Sequence, residues 1–174
     1  MNLSEGQPVV GVGVGGSGAS TAALVWAARE ARHRGARLLV IQAWQPHPLR
    51  ALYAAAGYGR RPPPSTSAAA AQLDALVRSA LGDTAGLDLV TEVVEGPAER
   101  VLADASGRLD LLVLGSGGQS PVSQVDPLVV DRPVGPVVRA CLSHARCPVV
   151  IITPAMAPVL TGAWRAPRPV PARV

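Results

Sequence analysis

Val9-Val10-Gly11-Val12-Gly13-Val14-Gly15-Gly16-Ser17-Gly18 is an apolar run of β-formers that breaks up into glycine. The same grammar returns far downstream in Leu111-Leu112-Val113-Leu114-Gly115-Ser116-Gly117-Gly118. Glycine where a buried strand ends lets the backbone turn sharply and approach a ligand, because no Cβ intervenes. In an open parallel sheet, the carboxyl ends of neighbouring strands form the usual ligand crevice where strand order reverses. Two such loops in one chain point to a phosphate- or nucleotide-shaped site.

Working outward, residues 8–14 read as a buried strand. Ser20 is a candidate cap for the helix that follows, in which Leu24, Ala27, Ala28 and Ala31 recur at helical spacing. Gly35 is placed to end that helix, and residues 37–44 form a second strand. Pro46 and Pro48 open a long loop through Gly57, Gly59 and Pro62-Pro63-Pro64. A second helix follows over 66–82, with Leu73, Leu76, Val77 and Leu81 on one face. Strand three is expected at 88–94, helix three at 97–106 with Pro97 in its first turn, and strand four at 110–114. After a proline-broken loop over 115–133 come helix four at 134–145 and strand five at 149–152. Strands alternating with helices call for a parallel sheet, right-handed crossovers and helices on both faces.

The 174 residues are most simply one domain with one sizeable core. Three Trp, two Tyr and no Phe make that core aliphatic. Every one of the 16 Lys/Arg positions is arginine, and this removes whole classes of chemistry. A Walker A loop needs lysine on the β- and γ-phosphates, and a Schiff-base enzyme needs a lysine amine. The formal charge of +4 is scattered rather than clustered with aromatics, so no nucleic-acid surface is indicated. Residues 1–7 lack the basic start and apolar core of a secretory signal, and no run approaches the length of a membrane span. Cys141 and Cys147 make no disulfide framework. The expected compartment is the cytoplasm.

Gly13-Val14-Gly15-Gly16-Ser17-Gly18 satisfies Gly-x-Gly-x-x-Gly, but the dinucleotide fingerprint also needs an acid at the end of strand two. Gln42-Ala43-Trp44 supplies none, which argues against a dehydrogenase. Ser17 resembles a nucleophile elbow without its final glycine, and at the first strand rather than in mid-sheet. His33, His47 and His144 are isolated: His33 lies on an arginine-rich face, and His144 near a helix end where it meets the dipole. The two cysteines read as small packed apolar groups, and metal-ligand spacing is absent.

Taken together, Val-Val-Gly-Val-x-Val-x-Gly-Ser at strand one, Ala22-Ala23-Leu24-Val25-Trp26-Ala27-Ala28 and Arg34-Gly35-Ala36-Arg37-Leu38-Leu39-Val40 resemble the universal stress protein family. So do Asp110-Leu111-Leu112-Val113-Leu114-Gly115-Ser116 and Ser143-His144-Ala145-Arg146-Cys147-Pro148-Val149-Val150-Ile151. The resemblance covers about residues 8–153, leaving 1–7 as an N-terminal extension and 154–174, with five prolines and three arginines, as a flexible tail that Trp164 is placed to anchor. It implies an α/β, adenine nucleotide alpha hydrolase-like fold: a five-stranded parallel sheet in order 3-2-1-4-5 with helices on both faces. The nucleotide site it implies comprises Gly13, Val14, Gly15, Gly16 and Ser17, Ala43, Leu114, Gly115, Ser116 and Gly118, and Gly135, Pro136 and Val137. The implied cofactor is ATP or another adenine nucleotide.

The ATP-binding branch of that family carries Gly-x2-Gly-x9-Gly-Ser/Thr after strand four and an aspartate in Val-Asp-Gly-Ser after strand one. Here the aspartate position is Gly15, and sixteen residues rather than nine separate Gly118 from Gly135. The final hydroxyl position is Pro136, which brings neither a side-chain donor nor an N–H. The longer segment also brings Asp126 and Asp131 near the implied triphosphate position, where they oppose phosphate unless a cation bridges them. The resulting expectation is a stress-response accessory protein without catalysis, pairing as a homodimer through residues 148–152, with its nucleotide site weakened. The alternative is an ATP-binding switch or slow ATPase.

Overall fold

The computed structural model describes residues 6–45, 65–84, 86–116, 134–156 and 160. The expected loop at 46–64, the Gly117-Gly118 pair, the acid-bearing segment with Asp126 and Asp131, and Trp164 lie outside the described residues.

Among the described residues, strands and helices alternate in the order β1 (Val9–Gly13), α1 (Gly18–Arg34), β2 (Arg37–Trp44), α2 (Thr66–Leu81), β3 (Leu89–Glu95), α3 (Ala98–Ala105), β4 (Leu111–Gly115), α4 (Pro136–His144) and β5 (Val149–Ile152). All strand pairs are parallel and the sheet order is β3-β2-β1-β4-β5, as the family resemblance implied. β1 is central. Val12 stands opposite Val40 on one side and Val113 on the other.

Because strand side chains alternate between faces, the sheet divides its apolar residues between two clusters. Val10, Val12, Leu38, Val40 and Val113 pack with the buried stripe of α1 and with Leu73 and Val77 of α2. Val9, Leu39, Ile41, Leu112 and Leu114 pack on the other face with Val101 and Leu102 of α3 and Val138 and Cys141 of α4. The buried apolar side chains described are aliphatic apart from Cys141, and none is aromatic. Cys147 packs against the second cluster, and His33 is exposed.

Local chemistry sets the element ends. Gly35 closes α1 in the left-handed conformation (φ 60°), with Gly35 N–H donating to Arg32 C=O and Ala36 N–H to Ala31 C=O, the paired bonds of a Schellman turn. Ser65 caps α2 through Ala68 N–H, and Gly82 follows its last residue. Asp110 ties the two central strands at their start: its Oδ2 accepts from Val9 N–H at 2.7 Å and its own N–H donates to Val9 C=O at 2.9 Å. Ser106, 1% exposed in a 3-10 turn (Ser106–Arg108), donates to Ala103 C=O at 2.6 Å and accepts from Arg146 N–H at 2.8 Å. It thereby joins the end of α3 to the loop before β5.

Two expectations need correction. The cap of α1 is Ser17, not Ser20. Gly16 turns the chain at φ 77°, so Ser17 is already extended ahead of the helix and its Oγ accepts from Ser20 N–H at 3.1 Å. Ser20 is buried one turn in, with its hydroxyl on Ser17 C=O. The chain beyond β5 is also not all loose tail: Pro154–Met156 form a 3-10 turn, and Leu160 is buried in the first cluster. An apolar side chain received into that cluster gains burial that composition alone does not register. Smaller shifts affect Pro97, which stands just before α3 rather than within it, and the ends of β1, β3, β4 and α4.

Candidate functional site

The strand order brings the two glycine loops together. Gly13, the last residue of β1, lies opposite Leu114 of β4 and Ile41 of β2, and Val14 N–H extends the ladder to Ile41 C=O at 3.0 Å. Beyond that point Gly15, Gly16 and Gly18 are exposed, and a Cβ on any of them would meet nothing within 4 Å. Ser17 is half-buried and committed to the helix cap, its carbonyl also accepting from Thr21 N–H and from the Ser20 and Thr21 hydroxyls. The open N-terminus of α1 therefore points from this turn toward the crevice, with no acid in its first turn. First-turn N–H groups and the helix dipole favour an anion there. Gly18, read in the sequence as the end of the first glycine loop but not counted among the implied nucleotide-site residues, is the first residue of α1 and lies at this end of the crevice. Its signal was its place in the Gly16-Ser17-Gly18 turn.

On the other side, β4 ends at Gly115, opposite Ile152 of β5, and Ser116 N–H is committed to Ile152 C=O at 2.8 Å. Gly115 proves to be glycine for a steric reason. A Cβ there would lie 2.6 Å from Ala19 C and Ser20 N and 2.7 Å from Ala19 O, inside the backbone of α1's first turn. Gly13 is similarly hemmed, by Leu102 at 2.8 Å and Leu114 at 2.9 Å. Both glycines shape the crevice by letting its walls close up, whereas the free space lies over Gly15 and Gly16.

The third part is α4. Its direction in a parallel crossover sets its N-terminus at the same carboxyl edge. Gly135 occupies the cap position without a side-chain cap bond, its Cβ direction empty, and Pro136 starts the helix exposed. Val137 faces inward and packs with the second cluster, as does Ala43 near the end of β2, while Leu114 is fully part of that core. Of the residues singled out, Gly118 lies outside the described residues. Two surface hollows of about 530 and 510 Å³ lie elsewhere, one between β3 and α3, the other between α1 and α2. Among the described residues no cluster of His, Cys, Asp and Glu is placed to hold a metal, and no helix is long and apolar enough to cross a membrane.

The universal stress protein profile matches residues 8–153. The chain belongs to the universal stress protein family. Solved structures agree in fold. UspA from Lactobacillus plantarum is 24% identical and superposes with a TM-score of 0.58, the match covering 83% of this chain and 97% of that one. A universal stress protein crystallised with cAMP is 23% identical, with 83% and 95% covered and a TM-score of 0.53. A universal stress protein from Archaeoglobus fulgidus is 17% identical, with 83% and 93% covered and a TM-score of 0.52.

Proposed function

We propose that this universal stress protein is a non-catalytic accessory module of the stress response, working as a homodimer and binding an adenine nucleotide weakly at the carboxyl edge of its sheet. The observation that carries this reading is the pairing of open backbone at two helix starts with missing side-chain donors. The Gly15-Gly16-Ser17 turn and the α4 cap at Gly135 keep the open, anion-favouring helix ends. Gly15 offers no carboxylate to a ribose, and Pro136 offers neither a hydroxyl nor an N–H to a phosphate. Each lost hydrogen bond to a charged group is worth about 1.5–3 kcal/mol, and about 1.4 kcal/mol is a factor of ten in affinity. Two or three losses move micromolar binding to millimolar. The complex of a family member with cAMP supports an adenine ring as the common element.

The dimer rests on β5. It is the last strand of the sheet, pairs with β4 alone among the described strands, and carries partly exposed Val149, Val150 and Ile151 along its length. An apolar, β-branched edge invites pairing with a copy of itself. Calorimetric titration with ATP, with and without magnesium, and with cAMP tests the ligand. The expected dissociation constants are in the high micromolar to millimolar range, with no phosphate release. Low-micromolar ATP affinity with turnover would instead make the protein a nucleotide switch. Sedimentation at micromolar concentration should give a dimer that Val150→Asp dissociates, and a wild-type monomer would refute the assembly.

A further inference from the structure

The two hollows away from the glycine crevice differ in charge. In the one between β3 and α3, Arg108 is paired with Glu92 and Arg100 with Asp104, so its cations are already answered. The other, about 510 Å³ between α1 and α2, has Arg29 and Arg32 in its wall and no acid among its lining residues. Glu30, the acid of α1, is taken by Arg34 at 2.6 Å. Arg29 makes no hydrogen bond or ion pair among the described residues. Arg32 gives Asp83 C=O one N–H at 3.1 Å, and a guanidinium carries five. Three residues apart on one helix, the two side chains reach a common point. Apolar surface adjoins them. Val25 is half-buried yet outside both core clusters, and Ala28, one turn on, is buried. Leu81, partly buried at the end of α2, belongs to the opposite wall, where Ser79 adds a hydroxyl.

We infer that this hollow binds a small amphiphilic anion. An oxyanion head, carboxylate or phosphate monoester, sits between Arg29 and Arg32, and a short aliphatic chain lies along Val25, Ala28 and Leu81. Planar guanidinium forks match such heads with paired, charge-assisted hydrogen bonds. The volume is that of an ordinary small-ligand pocket. Along α1 the run from Val25 to Arg32 spans about 10 Å, which suits a chain of several methylenes rather than a long acyl tail. Head and body are both required: the arginines alone are an open cationic surface, and the apolar wall alone has nothing to orient a ligand. The hollow shares no lining residue with the glycine crevice, so its ligand binds whether or not a nucleotide does.

Titrating octanoate and octyl phosphate into the nitrogen-15-labelled full chain, below micelle-forming concentrations, tests this through amide chemical shifts. Saturable shifts should gather at residues 21–32 and 79–83, and the tighter of the two anions identifies the head. Butanoate, with the same head and a shorter body, and octanol, without the charge, should each bind about tenfold more weakly or worse. Arg29→Gln breaks no bond among the described residues and should weaken octanoate about threefold or more; adding Arg32→Gln should bring the loss to about tenfold or more, with far-ultraviolet circular dichroism unchanged. Octanol binding as tightly as the anions would overturn the proposal, because apolar surface alone would then suffice. Shifts centred elsewhere, affinity unmoved by the two substitutions, or no saturable binding of either anion in the millimolar range would overturn it equally.

Discussion

Replacing Gly115 by alanine separates a steric role for this glycine from a ligand-facing one. The new Cβ would start 2.6 Å from two backbone atoms of Ala19 and Ser20. Carbon atoms rest at about 3.5–4.0 Å, so β4 and the first turn of α1 must part by about 1 Å. Ala19, Ala22 and Ala23 on that face of α1 are all buried, and the obstruction is backbone rather than the end of a flexible side chain. Overpacking of this kind costs about 1–3 kcal/mol, and the rigid neighbour places Gly115→Ala near the upper end. For a chain of this size about 1 kcal/mol corresponds to 2–4 °C in Tm, so the expected fall is about 6–12 °C. Gly15→Ala is the matched control: nothing lies within 4 Å of its Cβ and its φ is not positive, so its stability should stay within about 0.5 kcal/mol of wild type. Urea and thermal unfolding of the two variants decide the matter. If Gly115→Ala is as stable as Gly15→Ala, the steric account is refuted and the glycine is left to serve a ligand.

Ser106→Ala should destabilise by about 1–3 kcal/mol, because it leaves the Arg146 N–H without its acceptor; urea unfolding, with amide exchange followed at Arg146, reads both the loss and its place. Burial, and secondarily the neighbouring Cys147, pushes the Cys141 thiol up from its ordinary value, and burial followed by the charge of Asp110 does the same to Cys147 against a weaker opposing bond from Leu112. The folded state thus holds these protons more tightly than the unfolded chain, so this contribution to stability is complete at neutral pH and is lost as pH rises through the thiol range. Thiol labelling of the native protein should accordingly be slow at neutral pH and accelerate only in strongly alkaline buffer; labelling at the rate of a free cysteine near pH 7 would contradict it. Gly15→Asp combined with Pro136→Ser should tighten ATP binding tenfold or more by calorimetry, and unchanged affinity would show that the missing donors are not the cause of weak binding.

Much of the fold was legible locally. The apolar runs at 8–14 and 110–114, the Leu24/Ala27/Ala28/Ala31 stripe and Gly35 each carry a periodicity or conformational preference that acts within a few residues; the runs appear as β1 and β4 with ends shifted by a residue, and the stripe and Gly35 lie where those preferences place them. The strand order was not in the periodicity; it came with the family pattern, and the structure bears it out. At the site, sequence alone determined which groups are available: no lysine, no acid at position 15, no donor at position 136. Tertiary structure decided what the glycines are for, which serine caps α1, and that Leu160 belongs to the core. The physical reason is one of range. Alternation and helical period record how a segment meets water and its own backbone. The close approach of Gly115 to Ala19, or the burial of Leu160, exists only once segments remote in the chain have packed, because close approach depends on where the partner lies rather than on the residue itself.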